Sequence, residues 1–453
     1  MANGPGIGKR KTPSSERGVS PPLKKRQQST TTNKAVANFF TPASKKEPDS
    51  MIWRIVNDSL LIGRCNTAAA QAAKSLSKRK IAAFDFDSTL VTPASGKRFG
   101  RDASDWKWVT GSVPTKLRSL HEDGYLVAVV SNQGGISLKP DPKSIKSDQK
   151  RLADFKGKVS AVFAQLDFPL SVYAATIRDQ YRKPRTGMWH ELLEDYGIEA
   201  DTVDLENSFF VGDAGGRGAV AGGVPKDHSC VDRDFAANVG ISFHTPEEYF
   251  LQEEPRPFTR EFDPTVFLQD AAALETAASA FPTSSSKANP LEIVLLCGSP
   301  GSGKSSFYWR VFQPLGYGRV NQDILKSRDN CLRAATSMIE EGTSVVVDNT
   351  NADPETRGHW TALAKKLNNI PIRCVLLTAS VKLCEHNDTV RALNVGPEMN
   401  PEKRNILPKL AFTGFASRYR EPKLSEGFEE IVKIDFKFEG SEETKRVWSK
   451  YWV

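Results

Sequence analysis

Paired cysteines, long apolar runs and a secretory leader are all absent from this sequence. The six cysteines are scattered along the chain and form no C-x-x-C pair, which argues against a disulfide framework or a cysteine-rich zinc site and predicts reduced intracellular thiols. No apolar run approaches the roughly 20 residues that cross a bilayer, so we expect no membrane segment. These absences leave an intracellular globular protein as the expectation.

The composition is that of an ordinary folded protein. Of the 453 residues, 39% are hydrophobic and 26% are charged, which excludes a wholly disordered or fibrous chain. Because a domain usually holds about 100–200 residues, this length predicts two or three domains.

Residues 1–50 carry most of the net positive charge. They hold 10 Lys and Arg against 3 acids, whereas the rest of the chain has 52 basic against 51 acidic residues. A segment so rich in Ser, Thr, Pro and Lys cannot bury enough apolar surface to offset its chain entropy, so we expect a disordered tail. Two basic clusters, at 9–11 and 24–26, are spaced like a bipartite nuclear-import signal and predict a nuclear protein. A solvated arm that only attracts nucleic acid is the alternative.

One apolar island interrupts this tail at residues 33–40. A helical turn here would place Val36, Phe39 and Phe40 on one face, as in short segments that dock into a hydrophobic pocket. The segment resembles the motif by which repair proteins bind the replicative sliding clamp, with Asn33 where that motif has Gln. A chance apolar patch is the alternative.

From residue 51 onward, short apolar runs alternate with helix-like stretches. This alternation indicates an α/β domain with a doubly wound parallel sheet over residues 51–252. Charged, Pro-rich and Ser-rich residues predict a linker at 253–290, and a second α/β domain follows at 291–453. Buried strands are predicted at 81–86, 125–131 and 208–212, and at 291–297, 344–348 and 372–377.

Residues 298–305 read GSPGSGKS and directly follow a predicted strand. They fit the phosphate-binding pattern GxxxxGK(S/T) in its strand–loop–helix setting. We expect Lys304 to reach the β- and γ-phosphate oxygens of ATP, the phosphate donor, and the Ser305 hydroxyl to ligate Mg²⁺. The residues whose backbone would surround the phosphates include Gly298, Gly301, Ser302 and Gly303.

A P-loop identifies the phosphate donor, so the groups that handle the acceptor must lie elsewhere. Asp323 could accept the proton of an attacking hydroxyl, and an N-cap of the helical stretch 324–341 is the alternative. Asp348, at the end of a predicted strand, fits either a metal-ligating acid or a turn residue. Arg391, in a candidate lid at 386–391, would neutralise the transferred phosphoryl group, although a lone helical arginine is more often a surface residue.

The first domain carries two acids at the end of a strand. The apolar run that begins at Ile81 ends in the pattern D-x-D-x-T, and residues two apart in an extended segment project to the same side. Asp85 can attack a phosphate to form an aspartyl-phosphate, while Asp87 protonates the leaving oxygen and then acts as base for the hydrolytic water. The two acids repel each other when both are ionised, unless a divalent cation reverses the balance.

Three further residues follow in the order that a phosphatase of the haloacid-dehalogenase type needs. Ser131 ends a second strand and offers a hydroxyl to phosphate oxygens, and Lys183 offers a cation to the pentavalent state. Asp213 ends a third strand and suits Mg²⁺, together with Asp85 and the backbone carbonyl of Asp87. Taken singly, each has an ordinary structural alternative as a strand cap, a surface lysine or a turn residue. Their order along the chain favours the site.

Together these segments resemble the polynucleotide kinase 3′-phosphatase family over about residues 51–453. The string YRKPRTGMW at 181–189 is the most specific part of the resemblance. The other matching segments are 85–90, 131–133, 210–217, 226–240, 245–250, the P-loop, Asp323, 348–351 and 386–387.

The resemblance implies a DNA end-processing enzyme that hydrolyses 3′-phosphates and phosphorylates 5′-hydroxyl ends with ATP, so that strand breaks can be ligated. It implies a haloacid-dehalogenase-like phosphatase domain followed by an adenylate-kinase-like P-loop domain, working as a monomer. Arg182 and Asn132 are the expected substrate contacts. Trp106 and Trp108 could stack on unpaired bases or, as the alternative, belong to the core.

Two departures from the family pattern bear on function. The forkhead-associated domain of the animal enzymes is replaced by the basic tail, so phosphopeptide docking is not expected. Asp388 and Thr389 stand where the family has a further Asn and Arg, which leaves Arg391 alone. A kinase–phosphatase for RNA ends or a metabolite, and an end-binding scaffold with one silent half, are the alternative functions.

Overall fold

The computed structural model describes residues 51–65, 78–139, 142–219, 225–268, 289–394 and 398–453. The basic tail with its two clusters, the apolar island at 33–40 and most of the predicted linker lie outside the described residues. Within the described residues, no helix is both long and apolar enough to cross a membrane.

Within the described residues of the first domain, seven strands form one sheet, in the order β1-β2-β7-β6-β3-β8-β9. The strands β3, β6, β7, β8 and β9 run parallel to one another. The domain's strands are β1 (Met51–Val56), β2 (Leu60–Cys65), β3 (Ile81–Phe84), β4 (Val91–Thr92), β5 (Lys107–Trp108), β6 (Leu126–Asn132), β7 (Leu170–Ala175), β8 (Phe209–Val211) and β9 (Ser242–His244), with β4 and β5 forming a separate hairpin.

The sheet is parallel through its centre, as the sequence predicts, and antiparallel at one edge. β1 and β2 form an antiparallel hairpin, and β2 pairs antiparallel with β7. The turn between β1 and β2 contains Asn57 and Asp58, whose φ angles are 49° and 53°. Asn and Asp tolerate this left-handed conformation, so these two residues between apolar runs were a hairpin signal.

Both faces of the central strands are buried because helices cover each side. Ala82 and Phe84 face the helices α1 and α2, whereas Ile81 and Ala83 face α3 and α4. This alternation reflects the two-residue period of a strand. The helices are α1 (Val113–Glu122), α2 (Ile145–Phe163), α3 (Gly187–Tyr196) and α4 (Val231–Val239).

In the part of the second domain that the structure describes, five strands form one parallel sheet in the order β11-β12-β10-β13-β14. The strand that leads into the P-loop, β10, is central and fully buried. The elements are β10 (Ile293–Cys297), α5 (Lys304–Phe307), β11 (Gly318–Val320), α6 (Gln322–Leu325), α7 (Arg328–Glu340), β12 (Val345–Val347), α8 (Pro354–Lys366), β13 (Ile372–Leu377), α9 (Val381–Leu393), α10 (Lys409–Arg418), β14 (Glu430–Ile434) and α11 (Glu442–Trp448).

Short helical turns connect these elements. A π-helical turn at Tyr308–Phe312 directly continues α5. The others are Ala200–Thr202, Glu247–Leu251, Pro264–Leu268, Gln313–Leu315 and Leu424–Glu426.

Two predicted boundaries differ in the structure. The single helix expected at 324–341 is two helices, α6 and α7, because the chain turns at Lys326 with a φ of 70°. The first part of the predicted linker packs onto the first domain, since Phe258 forms a β-bridge with Arg217, and Arg260 forms an ion pair with Asp234. Residues 253–268 are therefore not a free spacer.

Candidate active sites

Three carboxylates converge at the carboxyl edge of the first sheet. Asp85 directly follows β3 and Asp213 follows β8, while Asp232 lies in the first turn of α4. One carboxylate oxygen from each lies within 4.8 Å of the others. The backbone N–H of Asp85 donates to the carbonyl of Val211 at 2.8 Å, which fixes the ends of the two strands side by side.

Lys183 lies between two of these carboxylates. Its Nζ is 2.8 Å from Asp85 Oδ1 and 2.7 Å from Asp232 Oδ1, and the side chain is buried. Burial alone would lower the pKa of Lys183, but the two carboxylates outweigh this effect and raise it. The lysine is therefore a fixed positive charge inside the site.

Asp232 is the main residue for which sequence reasoning predicted no role. An acid in the first turn of a helix is common, so its position gave no specific signal. The structure buries it against Gly212, where a Cβ would lie 2.4 Å from Asp232 Oδ2. The same oxygen accepts a hydrogen bond from the backbone N–H of Ala214 at 3.0 Å. Glycine at position 212 thus makes room for the third carboxylate.

The electrostatics of this cluster suit a divalent cation. Burial, followed by the nearby Asp85 and Asp232, raises the pKa of Asp213 to about 8. Burial also raises the pKa of Asp232, although Lys183 opposes the shift. Three carboxylates with a single ammonium leave an excess of negative charge, and an oxygen-only donor set is the one that Mg²⁺ prefers. The residues present therefore fit Mg²⁺.

Asp87 differs from Asp85 in its surroundings. Its side chain is 49% exposed, against 12% for Asp85. Gln133 Nε2 donates to Asp87 Oδ2 at 2.7 Å and to Ser131 Oγ at 3.0 Å, so one amide joins the two predicted site residues. Lys158, on α2, lies 3.5 Å from Asp87 Oδ1. Neither Gln133 nor Lys158 was given a role from the sequence.

Asn132 has a different position from the one expected of a substrate contact. Its Oδ1 accepts from the backbone N–H of Lys183 at 2.9 Å, and its Nδ2 donates to the Lys183 carbonyl at 3.1 Å. We therefore assign it to positioning Lys183. Arg182 is half-buried, with Nη1 3.1 Å from where a Cβ on Gly134 would lie. Among the described residues no acid forms an ion pair with Arg182, so its charge is available to an anion.

The P-loop in the second domain has the conformation that the glycine pattern predicts. Gly301 and Gly303 have φ angles of 76° and 95°, which favour glycine. A Cβ on Gly301 would lie 2.2 Å from the carbonyl oxygen of Cys384 on α9. Lys304 is buried, and its Nζ donates to the carbonyls of Gly298 and Ser299 at 2.9 and 2.7 Å. Burial lowers the pKa of Lys304.

Asp348, at the end of β12, lies beside the P-loop serine. Ser305 Oγ donates to Asp348 Oδ2 at 2.8 Å, and Arg319 Nε donates to the same oxygen at 2.8 Å. A serine hydroxyl and an aspartate so close together form the pair that holds Mg²⁺ in P-loop enzymes. The structure thus favours the metal-ligating interpretation of Asp348 over the turn residue.

Asp323 and Arg391 both line one large cavity with Lys304, of about 1470 Å³. Asp323 is 76% exposed and its Oδ2 is 3.4 Å from Arg404 Nη1. Asn321, not Asp323, caps α6, since its side chain accepts from two backbone N–H groups of that helix. The alternative interpretation of Asp323 as an N-cap is therefore wrong.

The candidate lid at 386–391 is the middle of helix α9. His386, Asp388 and Thr389 are buried, whereas the residues of a lid that opens to solvent would be exposed. Arg391 forms an ion pair with Asp388, and Asp388 Oδ2 also accepts from the backbone N–H of Leu407 at 2.9 Å. Arg391 is thus a wall residue of the cavity, partly neutralised by its own helix, rather than part of a mobile loop.

Trp106 and Trp108 lie at the hairpin of β4 and β5, half-buried against the core of the first domain. Their rings meet edge to face at 5.5 Å, and Trp108 Nε1 donates to Gln165 Oε1 at 2.9 Å. Both line a shallow surface depression. Each side chain therefore packs partly against the core and partly lines the surface, and stacking on unpaired bases stays a prediction.

Comparisons with known proteins assign both halves of the chain. A family model described as polynucleotide kinase 3 phosphatase matches residues 80–250, and a model described as an AAA domain matches residues 293–411. The chain is 37% identical over 398 residues to a bifunctional polynucleotide phosphatase/kinase of Schizosaccharomyces pombe, which covers 87% of this chain and 88% of the relative. It is 28% identical over 212 residues to a polynucleotide 3′-phosphatase of Saccharomyces cerevisiae, covering 37% of this chain and 86% of the relative. The predicted order of a haloacid-dehalogenase-like domain and a P-loop domain is confirmed.

Proposed function

The chain belongs to the family of bifunctional polynucleotide phosphatases/kinases, and from this premise we propose that it prepares DNA strand breaks for ligation. The first domain removes 3′-phosphates, and the second phosphorylates 5′-hydroxyl ends with ATP. The observation that carries this proposal is the presence of two separate sites for opposite phosphate chemistry, one around Asp85 and Lys183 and one around Lys304. On a single phosphate they would cancel each other, whereas on the two sides of a break they cooperate.

In the phosphatase site, Asp85 is the nucleophile. One of its carboxylate oxygens forms a bond to phosphorus, and the bond from phosphorus to the 3′-oxygen of the terminal nucleotide breaks. Asp87 protonates that leaving oxygen. Its carboxyl group is half exposed and is held in place by a hydrogen bond from Gln133. Water then hydrolyses the aspartyl-phosphate, with Asp87 as base. Lys183 and Ser131 stabilise the phosphoryl oxygens. Mg²⁺, held by the carboxylates, would offset the charge of the phosphate.

In the kinase site, the P-loop backbone and Lys304 bind the phosphates of ATP. Asp323 accepts the proton of the 5′-hydroxyl as that oxygen bonds to the γ-phosphorus, while the bond from the γ-phosphorus to the oxygen of the β-phosphate breaks and ADP leaves. Arg391 lines the same cavity. Ser305 and Asp348 form the candidate Mg²⁺ pair.

An assay that compares DNA, RNA and metabolite phosphates as substrates tests the proposed substrate class, and faster turnover of RNA ends would contradict it.

Loss of one carboxylate should weaken metal dependence in the phosphatase site alone. We expect Asp213→Asn to raise the Mg²⁺ concentration for half-maximal 3′-phosphatase activity by about tenfold or more, because the cluster loses a charged ligand. Magnesium titration of both activities checks this. The control is Asp201→Asn, an exposed acid in the turn Ala200–Thr202 before β8. An unchanged magnesium requirement in Asp213→Asn would remove this residue from the metal site.

The basic tail is proposed to direct the protein to the nucleus, and residues 33–40 to contact the sliding clamp. Both proposals rest on the sequence pattern of residues 1–50. We expect deletion of residues 1–50 to abolish nuclear accumulation of a fluorescent fusion and to leave turnover of short oligonucleotides unchanged. A large loss of turnover would mean that the tail captures substrate. Pull-down of the clamp by wild type and by Phe39→Ala tests the second proposal.

A further inference from the structure

The last residues of the kinase domain lie against the phosphatase domain. Residues 449–453, here called the C-terminal strap, follow helix α11. The side-chain amide of Asn238, on helix α4 of the phosphatase domain, forms two hydrogen bonds with the backbone of the strap. Its Oδ1 accepts from Tyr451 N–H at 2.9 Å, and its Nδ2 donates to the Tyr451 carbonyl at 2.6 Å. The Arg260 guanidinium lies 4.6 Å over the Tyr451 ring.

The strap contacts surround the turn that carries the catalytic lysine. Asn238 Nδ2 also donates to the carbonyl of Pro184 at 2.9 Å, and Arg185 Nε donates to the Trp452 carbonyl at 3.1 Å. Pro184 and Arg185 are the two residues after Lys183. Asn132 holds the backbone of Lys183, and Asn238 and the strap hold the next two residues of the same turn.

Trp448, the residue that directly precedes the strap, is held by hydrogen bonds beside the kinase site. Trp448, at the end of α11, is buried, and its Nε1 donates to Asn387 Oδ1 at 2.8 Å. Asn387 Nδ2 in turn donates to the carbonyl of Gly301 in the P-loop at 3.1 Å. His386 Nε2 lies 2.9 Å from the Trp448 carbonyl. The strap is therefore anchored where the P-loop meets α9, not on a free surface.

We propose that the C-terminal strap positions Lys183 for 3′-phosphate hydrolysis, with Asn238 as the positioning residue that transmits the contact. This inference rests on the proposed function of the first domain. Lys183 contributes to the transition state only if its ammonium stays within hydrogen-bond distance of Asp85 and Asp232, and displacement by about 1 Å lowers rates strongly. The phosphatase site is thus completed by the other domain's last residues, although those residues do not touch the substrate.

Two variants test this positioning role. Asn238→Ala removes the amide, and a stop codon after Ser449 removes residues 450–453 while keeping helix α11. In both we expect kcat for 3′-phosphate removal to fall about tenfold with KM changed less than about twofold, because substrate binding does not use the strap. We expect 5′-kinase activity to remain. Asn238→Asp keeps the acceptor for Tyr451 N–H but cannot donate to Pro184, so its kcat should fall as well.

Controls separate positioning from loss of folding. Tyr451→Phe keeps the backbone groups that Asn238 contacts and the ring beneath Arg260, so kcat should be unchanged. Asn207→Ala changes an exposed Asn just before β8, at the amino end of the strand and not at the carboxyl end where the site lies, and it should also be neutral. Thermal unfolding of every variant is measured alongside. Should the truncated protein unfold, the Asn238 variants decide alone.

Three outcomes contradict the inference. They are an unchanged kcat in the Asn238 variants, a rise in KM that accounts for the whole loss, and a loss that follows a lower melting temperature and affects both activities equally. Wild type is assayed in parallel. Absence of 3′-phosphatase activity in wild type would instead overturn the proposed function.

Discussion

An Asp85→Asn protein is expected to lose 3′-phosphatase activity by about 10³-fold or more while its 5′-kinase activity stays at the wild-type level. The amide of Asn cannot form the aspartyl-phosphate, and the substitution removes one of the two carboxylates that hold Lys183 at 2.7–2.8 Å. Asn has nearly the shape of Asp, so the strand end at Val211 can remain as it is. The kinase site uses none of these residues and should be unaffected.

The measurement is made on one nicked duplex that carries a 3′-phosphate and a 5′-hydroxyl. Labelled strands report both reactions on the same gel, with Asp201→Asn as the matched acid-to-amide control. Loss of both activities in Asp85→Asn would argue against independent sites. Retained phosphatase activity would mean that another group is the nucleophile.

Much of the phosphatase site was predictable because its residues follow consecutive buried strands. The carboxyl ends of parallel strands meet at one edge of a sheet, so Asp85, Ser131 and Asp213 could be placed together from the sequence. Lys183 lies in a loop after β7 and was found only through its place in the motif order. The structure adds that both Asn132 and Asn238 form hydrogen bonds to the backbone of its turn.

Residues on helices were harder to place. Asp232 and Lys158 reach the site from α4 and α2, and their local sequence looks like that of any solvated helix. Which helical residues face the site depends on how the helix packs across the sheet, and a single sequence does not contain that information. The hairpin β1–β2 is a different case, because the sequence does contain its local signal in the turn residues Asn57 and Asp58.

The structure explains how this chain accommodates Asp388, which departs from the family pattern. A buried acid costs free energy unless it is paired, and burial raises the pKa of Asp388 while Arg391 and the Leu407 N–H oppose that shift. The pair keeps Arg391 at the cavity wall but offsets part of its charge. Stabilisation of the transferred phosphoryl group therefore depends more on Lys304 in this chain than it would with two unpaired cations.

Replacing Lys304 with Ala should accordingly reverse the Asp85→Asn result. We expect 5′-phosphorylation to fall by about 10²-fold to 10³-fold, because the site loses the one cation fixed inside the P-loop, while 3′-phosphate removal is unchanged. The same nicked duplex measures both reactions. Lys304 also bonds to the Gly298 and Ser299 carbonyls, so its removal alters the loop as well as the charge.

Lys304→Met separates these two effects, since it keeps the length of the side chain but carries no charge. Equal loss in the Ala and Met variants assigns the effect to the missing charge, whereas activity in Met near the wild-type level would assign it to loop packing. A matched control is Lys365→Ala, in the last turn of α8 and outside the residues that line the kinase cavity. If Lys304→Ala also removed the phosphatase activity, the two pockets could not work independently, and the division of opposite phosphate chemistry between two domains would fail.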